Sequence, residues 1–214
     1  MPVSVQNISA EESRLLDRCE KLFMRYGIKS VTMDDVSREL GISKKTLYQY
    51  VENKDALICK VTKSHFACEN KVVEQIIHQA KTAIDEMFGI ATWMNQMSKN
   101  LNPGLLFDLR KYHPDAWQIY IDHRNNEIYN HIKHNLQRGI KEELYRENLH
   151  VEVLTRIYIA RAEMFLDHEI FPYDKFPPEK TFPIFLDYHI RGIATQKGIK
   201  YLEKIKSQHN DNQG

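Results

Sequence analysis

The sequence predicts an all-α fold of about nine helices, and three observations support this class. Glycine and proline are scarce, at 8 and 7 of the 214 residues, so the tight turns that join many short strands are in short supply. Apolar residues recur at intervals of three and four over most of the chain, as on the buried face of a helix. Capping boxes, in which Ser or Thr is followed three positions later by Glu or Asp, open two of these segments. A β-sandwich or a barrel does not fit these patterns.

Three helices, the second and third of them short, are predicted at the N-terminus. The first runs from a capping box to Gly27, the second from another capping box to Gly41, and the third from a serine cap to Val51. The capping residues are Ser9 with Glu12 for the first helix, Thr32 with Asp35 for the second, and Ser43 for the third. These elements form a predicted domain over residues 1–53.

The rest of the chain also has a helical pattern. The segment 171–178 contains three prolines and cannot be helical throughout, because proline lacks a backbone N–H and clashes with the preceding turn. The predicted helices are 53–79, about 80–97, 105–111, 114–143, 151–171 and 179–206. We therefore expect a helical domain over 54–206, followed by a polar tail over 207–214.

Composition excludes several classes of protein. Thirty Lys and Arg against 29 Asp and Glu give a net charge of +1, so any nucleic-acid site must be a local one. The three cysteines show no Cys-x-x-Cys spacing, which excludes a zinc ribbon or a disulfide framework and predicts buried thiols. Because there is neither a long apolar run nor a signal peptide in Met1–Ala10, we expect a soluble, cytoplasmic protein.

The second and third helices have the spacing of a helix-turn-helix, in which the second helix of the pair enters the major groove of DNA. Gly41 can adopt the left-handed conformation of a sharp turn. Ile42 fills the angle between the helices, and Ser43 caps the next one. The alternative is a three-helix packing unit with solvated lysines.

Polar side chains follow this turn on the outer faces of the third helix. Lys44 and Lys45 can reach phosphates or guanine edges, and Gln49 can pair with adenine. Tyr48 offers a hydroxyl to phosphate, and Lys54 lies in the first turn of the fourth helix, where the helix dipole attracts an anion. We predict a phosphate clamp formed by Tyr48 and Lys54.

The segment Thr32–Leu57, TMDDVSRELGISKKTLYQYVENKDAL, resembles the DNA-binding segment of TetR-type one-component repressors. The resemblance rests on the T-x-x-D-V start, the G-I-S turn, T-L-Y and N-K-D-A-L, and it covers roughly residues 9–60. Lys45 replaces a common glycine and adds charge, and Val51 replaces a common phenylalanine and slightly reduces core volume. The predicted DNA-binding residues are Thr32, Ser43, Lys44, Lys45, Thr46, Tyr48, Gln49 and Lys54.

The last two predicted helices carry apolar residues on more than one side. One side can pack within the subunit, and the second suggests a four-helix interface between two copies. The apolar residues on the last helix are Phe182, Phe185, Leu186, Ile190, Ile193, Ile199, Leu202 and Ile205. The resemblance implies the same homodimer, and two reading heads match a palindromic operator better than one.

The resemblance also implies that the larger domain holds a small effector and that the protein releases DNA when the effector binds. Apolar walls with a few polar groups suit such a pocket. The candidate lining is Trp93, Met97, Trp117, Tyr120, Arg124, Ile128, His131, Tyr158, Arg161 and Phe165. Arg124 would favour an anionic ligand; the alternative for Arg124 and His131 is a salt-bridged or hydrogen-bonded core position. The effector itself is not identified.

The sequence therefore predicts a ligand-responsive transcriptional regulator, a repressor in preference to an activator, and no enzyme or cofactor. Walker, His-Glu-x-x-His and nucleophile-elbow motifs are all missing from the sequence. His131 and His134 have no further ligands at metal-binding spacing. The alternatives are a helical small-molecule carrier without DNA binding and an all-α enzyme.

Overall fold

The computed structural model describes residues 10–98, 102, 104–165, 169–172 and 174–211, and confirms the all-α class over them. The only β-pairing in this part of the chain is an isolated bridge between Tyr145 and Ala194. The helices are α1 Ala10–Tyr26, α2 Met33–Leu40, α3 Lys44–Tyr50, α4 Lys54–Gln79, α5 Ala83–Ser98, α6 Leu105–Tyr112, α7 Pro114–His123, α8 Tyr129–Lys141, α9 Val151–Met164, α10 Pro178–Ile193 and α11 Gln196–Asp211. A π-helical segment, Arg124–Ile128, joins α7 to α8.

The described helices outnumber the nine predicted because two long segments are divided. The predicted helix 114–143 is interrupted by the π-helical segment. The predicted helix 179–206 breaks after Ile193, because the Thr195 N–H donates to Leu144 O at 2.9 Å and the Arg146 N–H donates to Ile193 O at 2.9 Å. These bonds to a distant segment replace helical ones. In addition, α9 ends at Met164 rather than at residue 171.

The predicted caps around α2 and α3 are confirmed where the structure describes them. The Asp35 N–H donates to the Thr32 hydroxyl at 3.2 Å, and the Thr32 N–H donates to the Asp35 carboxylate at 3.0 Å. These bonds to Thr32 hold the pKa of Asp35 below its usual value. The Ser43 hydroxyl accepts the Thr46 N–H at 3.0 Å. The predicted box of Ser9 with Glu12 begins outside the described residues.

The chain forms two compact units. Unit 1 takes the described residues up to Glu69 together with those from Asn102 to His123, and unit 2 takes the described residues within 70–99 and 124–214. Helix α4 thus contributes its first part to unit 1 and its last part to unit 2. These two units are defined by contacts within the chain. The predicted boundary after residue 53, between a DNA-binding domain and a helical ligand-binding domain, stays a prediction.

The core of unit 1 joins the three N-terminal helices to α4, α6 and α7. Leu16, Leu47 and Leu57 are buried at its centre, and Leu109 and Ala116 bring α6 and α7 into the same cluster. The hydrophobic effect holds these helices together as one packed body. Helix α3 is therefore supported by helices that lie more than 50 positions further along the sequence.

The core of unit 2 corrects the predicted dimer surface. Seven of the eight apolar residues predicted on the last helix are buried within their own unit, and the eighth, Ile199, packs against the same core; the seven are Phe182, Phe185, Leu186, Ile190, Ile193, Leu202 and Ile205. The break at Ala194 makes two helices of the one predicted, and both bury their main apolar stripe in the chain itself. Ile184 and Tyr188 remain exposed instead.

The cysteines and the helix lengths add two findings. The prediction of buried thiols is correct for Cys19, whereas Cys59 is half-buried and Cys68 is exposed. Burial raises the pKa of the Cys19 thiol to about 12. Among the described helices, none combines the length and apolarity needed to cross a membrane.

Candidate nucleic-acid interface

The turn between α2 and α3 fixes the angle of the candidate recognition helix. Gly41 has a φ of +71°, its N–H donates to Arg38 O at 3.2 Å, and the Ile42 N–H donates to Ser37 O at 3.1 Å. A residue with a Cβ is strained at this φ, although a Cβ would meet no other atom within 4 Å. The glycine is therefore required by backbone conformation and not by lack of space.

Helix α3 is oriented by one inner side chain. Leu47 is completely buried, and the residue after the helix, Val51, is also buried in unit 1. Lys45, Tyr48 and Gln49 are exposed, with 47% of Tyr48 accessible. Because positions i, i+3 and i+4 share one face of a helix, these three side chains form a single outward face. We call Lys45, Tyr48 and Gln49 the recognition face.

Four hydroxyl-bearing or charged residues beside this face already have partners. The hydroxyls of Ser43 and Thr46 lie 2.8 Å apart and close the N-terminus of α3. Thr32 caps α2. Lys44 forms an ion pair with Asp34 in the first turn of α2. Their predicted DNA contacts stay predictions, and each would be made from a position fixed by the helix-turn-helix.

Lys54 lies differently from the expectation of an exposed clamp. Its ammonium donates to Ile28 O at 2.6 Å, in the turn between α1 and α2, and its side chain is half-buried. Burial lowers the pKa of Lys54, although the carboxylates of Asp108 and Asp55 act in the opposite direction. This bond ties the start of α4 to the turn. The sequence holds no signal for it, because the acceptor is a backbone carbonyl 26 positions away.

A half-buried polar cluster, which the sequence analysis missed, connects α1 with α4. His65 Nδ1 lies 2.9 Å from Glu20 Oε1, and its Nε2 lies 3.5 Å from Glu69. Burial alone would lower the pKa of His65, but the hydrogen bond and charge of Glu20 outweigh it, so the pKa is raised. His123 stacks on Phe66 with ring centroids 4.2 Å apart. The contact of His65 with Glu20 thus joins α4 to α1 within unit 1.

The residues predicted to line a ligand pocket fall in both units. In unit 1, the rings of Trp117 and Tyr120 stack at 4.8 Å. In unit 2, the rings of Tyr158 and Phe165 lie 5.3 and 5.1 Å from that of Phe185. Trp93, Ile128 and His131 are half-buried, whereas Met97 and Arg161 are exposed. The shared ligand role of these residues stays a prediction.

Arg124 occupies the salt-bridged position that was the alternative to a ligand contact. Its Nη1 donates to both carboxylate oxygens of Glu163, at 3.1 and 3.3 Å. An anionic ligand at this position would have to compete with that carboxylate. Elsewhere in the described chain, no group of three or more His, Cys, Asp or Glu side chains is placed to hold a metal ion.

Comparisons with known proteins agree with the helix-turn-helix formed by α2 and α3. Residues 15–61 match the family profile described as "Bacterial regulatory proteins, tetR family". A relative from Bacillus subtilis (strain 168), the uncharacterized HTH-type transcriptional regulator YvaF, is 28% identical over 188 residues, which cover 87% of this chain and 97% of the relative. The profile spans α1 to the first turns of α4, as the resemblance of Thr32–Leu57 predicts.

Solved structures share the fold. A TetR-family regulator from Agrobacterium tumefaciens aligns with a TM-score of 0.71 at 13% identity, over 85% of this chain and 96% of the other. A transcriptional regulator from Saccharomonospora viridis, solved in complex with choline, aligns with a TM-score of 0.67 at 15% identity, over 88% and 100%. Each of these relatives is named as a transcriptional regulator, the class of protein that the sequence predicts. The chain is thus similar to TetR-family bacterial regulators, both in the DNA-binding segment that residues 15–61 match and in its fold.

Proposed function

We propose that the protein is a homodimeric repressor that binds a palindromic operator and releases it when a small effector binds. The recognition face of α3 is the observation that carries this proposal: Leu47 holds the helix in the core while Lys45, Tyr48 and Gln49 stand outward. A lysine, a hydroxyl and an amide are groups that contact phosphates and base edges. A repressor of this kind acts on the chromosome, so its place is the cytoplasm.

A second copy of the chain supplies the second reading head in this proposal. Val153 and Ile157 are exposed at i and i+4 on α9, and Ile184 and Tyr188 are exposed at i and i+4 on α10, with 69% of Ile184 accessible. The guanidinium of Arg161 on α9 stands 5.4 Å from the centre of the Tyr188 ring on α10. The two exposed faces are thus neighbours. Contact with the same faces of a second chain would give a four-helix interface.

A mobility shift with the DNA that flanks the protein's own gene tests the DNA-binding part. The wild type should shift this duplex, and Gln49→Ala should weaken the shift by about 1–3 kcal/mol, the usual value of one bidentate base contact. Gln137→Ala is the matched control, because Gln137 is an exposed glutamine on α8. Tyr48→Phe isolates the hydroxyl contact to phosphate. Equal shifts for the wild type, Gln49→Ala and Tyr48→Phe would refute the recognition face.

Sedimentation of an interface variant tests the dimer. Ile184→Glu places a charge on the exposed face of α10 and should yield a folded monomer that no longer shifts the operator. Ile170→Glu is the control, because Ile170 is also an exposed isoleucine and lies outside α9 and α10. A monomeric wild type, or an Ile184→Glu variant that remains a dimer, would contradict this interface.

The effector part is tested without knowledge of the ligand. Native mass spectrometry of the purified protein should detect a bound small molecule, and organic extraction should remove it. Re-addition of the extract should then release the operator in the mobility-shift assay. Release should require a folded unit 2. The ligand can shift the equilibrium between operator-bound and released protein only if its affinity for these two states differs. An extract with no effect on operator binding would contradict effector control.

A further inference from the structure

A second cluster of basic side chains lies in unit 1, where the turn after α1 meets α6. Lys29 belongs to the turn, and Phe107, Lys111 and Tyr112 belong to α6. The Lys29 N–H donates to the Asp108 carboxylate at 2.9 Å, so the turn and α6 are in direct contact. We call Lys29, Phe107, Lys111 and Tyr112 the basic–aromatic patch.

The ring of Tyr112 is approached by two ammonium groups. Lys29 Nζ stands 5.2 Å and Lys111 Nζ stands 5.4 Å from its centre. Phe107 meets Tyr112 edge to face at 6.5 Å and lies 5.1 Å from Lys111 Nζ. The cation–π attraction holds both lysines within about 11 Å of each other on the surface.

Neither lysine of the patch forms an ion pair with a carboxylate in the part of the chain that the structure describes. Asp108, the acidic residue within α6, faces the backbone of the turn. Phe107 and Tyr112 are themselves exposed, at 49% and 40%. Two like charges held close together repel each other, and an anion with repeated charges would relieve that repulsion.

The turn that carries Lys29 is linked to two of the predicted DNA-binding residues, Thr32 and Lys54. Lys29 lies three positions before Thr32, the cap of α2, and its neighbour Ile28 accepts the ammonium of Lys54 at the start of α4. Duplex DNA carries a negative charge about every 1.7 Å along its axis. Such closely spaced charges suit two neighbouring lysines that have no carboxylate partner. On the helix-turn-helix itself, Lys44 is already paired with Asp34.

We propose that the basic–aromatic patch binds the phosphate backbone of duplex DNA outside the base pairs that α3 reads; this inference rests on the proposed regulatory function. Lys29 and Lys111 each neutralise a phosphate, and Tyr112 keeps the two ammonium groups in place. Contacts of this kind add affinity and fix register without reading sequence. The stretch of duplex that the protein contacts is therefore longer than the half-sites that α3 reads.

The test compares lysine variants on two lengths of the same operator. The full chain carries Lys111→Gln or Lys29→Gln, and Lys63→Gln, at an exposed lysine of α4, is the matched control. Each protein is titrated with salt on a long duplex with native flanks and on a duplex cut to the half-sites. On the long duplex, each patch variant should reduce the slope of log K against log salt by about two, because the homodimer loses one phosphate contact per protomer. On the short duplex, each should match the wild type, as Lys63→Gln should on both.

Two results would overturn the proposal. One is an unchanged slope for both patch variants on the long duplex; the other is an equal loss on long and short duplexes, which would place the lysines on the half-sites. Failure of the proposed function is seen separately, as a folded wild type that binds neither duplex. If the wild type binds and Tyr48→Phe weakens it while the patch variants do not, only the flanking contact is wrong.

Discussion

Replacing His189 with phenylalanine should remove part of the acid sensitivity of unit 2. His189 lies on α10 and is 6% exposed, with its ring 4.6 Å from that of Tyr158 and 6.2 Å from that of Phe185. Burial, assisted by the positive charge of Arg161, lowers the pKa of His189 to about 4. A histidine in the unfolded chain has a pKa of about 6.5. Phenylalanine keeps an aromatic ring in the cluster and removes the titration.

The sign and size follow from proton linkage. Between pH 6.5 and pH 4 the unfolded chain binds a proton at His189 that the folded chain does not, so the contribution to stability is present above about pH 6.5 and lost as pH falls through about 4. At about 1.36 kcal/mol per pH unit, this gap corresponds to about 3 kcal/mol of unfolding free energy. A difference of this size is a large part of the stability of most domains.

Urea unfolding, followed by circular dichroism at about pH 7.5 and about pH 4, measures this difference. Acidification should cost His189→Phe about 3 kcal/mol less unfolding free energy than it costs the wild type. His134→Phe, at an exposed histidine of α8, is the control and should behave as the wild type. An equal acid loss in the wild type and in His189→Phe would refute the assignment of a neutral, buried imidazole.

Two further predictions test the packing. Gly139→Ala would push a Cβ into the buried ring of Tyr145 and should lower the unfolding free energy by about 1–3 kcal/mol. Gly192→Ala, where a Cβ meets no atom within 4 Å, should be neutral or stabilising. Chemical denaturation of both variants measures the difference. A thiol reagent should label the exposed Cys68 quickly. The buried Cys19, whose pKa is raised to about 12, should react only after unfolding. Equal labelling rates of the two thiols in the native protein would contradict the burial of Cys19.

The helix-turn-helix could be predicted from sequence because its signals are local. Thr32 and Asp35 satisfy each other's backbone amides over three positions, and Gly41 and Ser43 end one helix and begin the next. The buried position of Leu47 then determines which side chains of α3 point outward. Each of these features depends on neighbours in the sequence, so a short segment with the right spacing defines the motif.

The missed features depend on partners far away in the sequence. The helix predicted over 179–206 breaks because the Thr195 N–H donates to Leu144 O and the Arg146 N–H donates to Ile193 O, across about 50 positions. No local pattern marks this site, and Thr195 alone is a weak start signal. The predicted dimer residues were wrong for the same reason: apolar spacing identifies a buried stripe but does not say whether the same chain or a second copy covers it.

The distribution of charge around α3 indicates how the recognition face works. The sequence contains three lysines in or next to α3, namely Lys44, Lys45 and Lys54. In the structure, Lys44 forms an ion pair with Asp34, and Lys54 donates a hydrogen bond to the carbonyl of Ile28. The outward face then consists of one lysine with two neutral hydrogen-bonding side chains, Tyr48 and Gln49. Such a face is better suited to discriminating between bases than to holding the backbone, because sequence-independent affinity scales with the number of neutralised phosphates. The salt dependence of operator binding must then arise mainly outside α3, and Lys45→Gln should change it by no more than about two phosphate contacts, one per protomer of the homodimer.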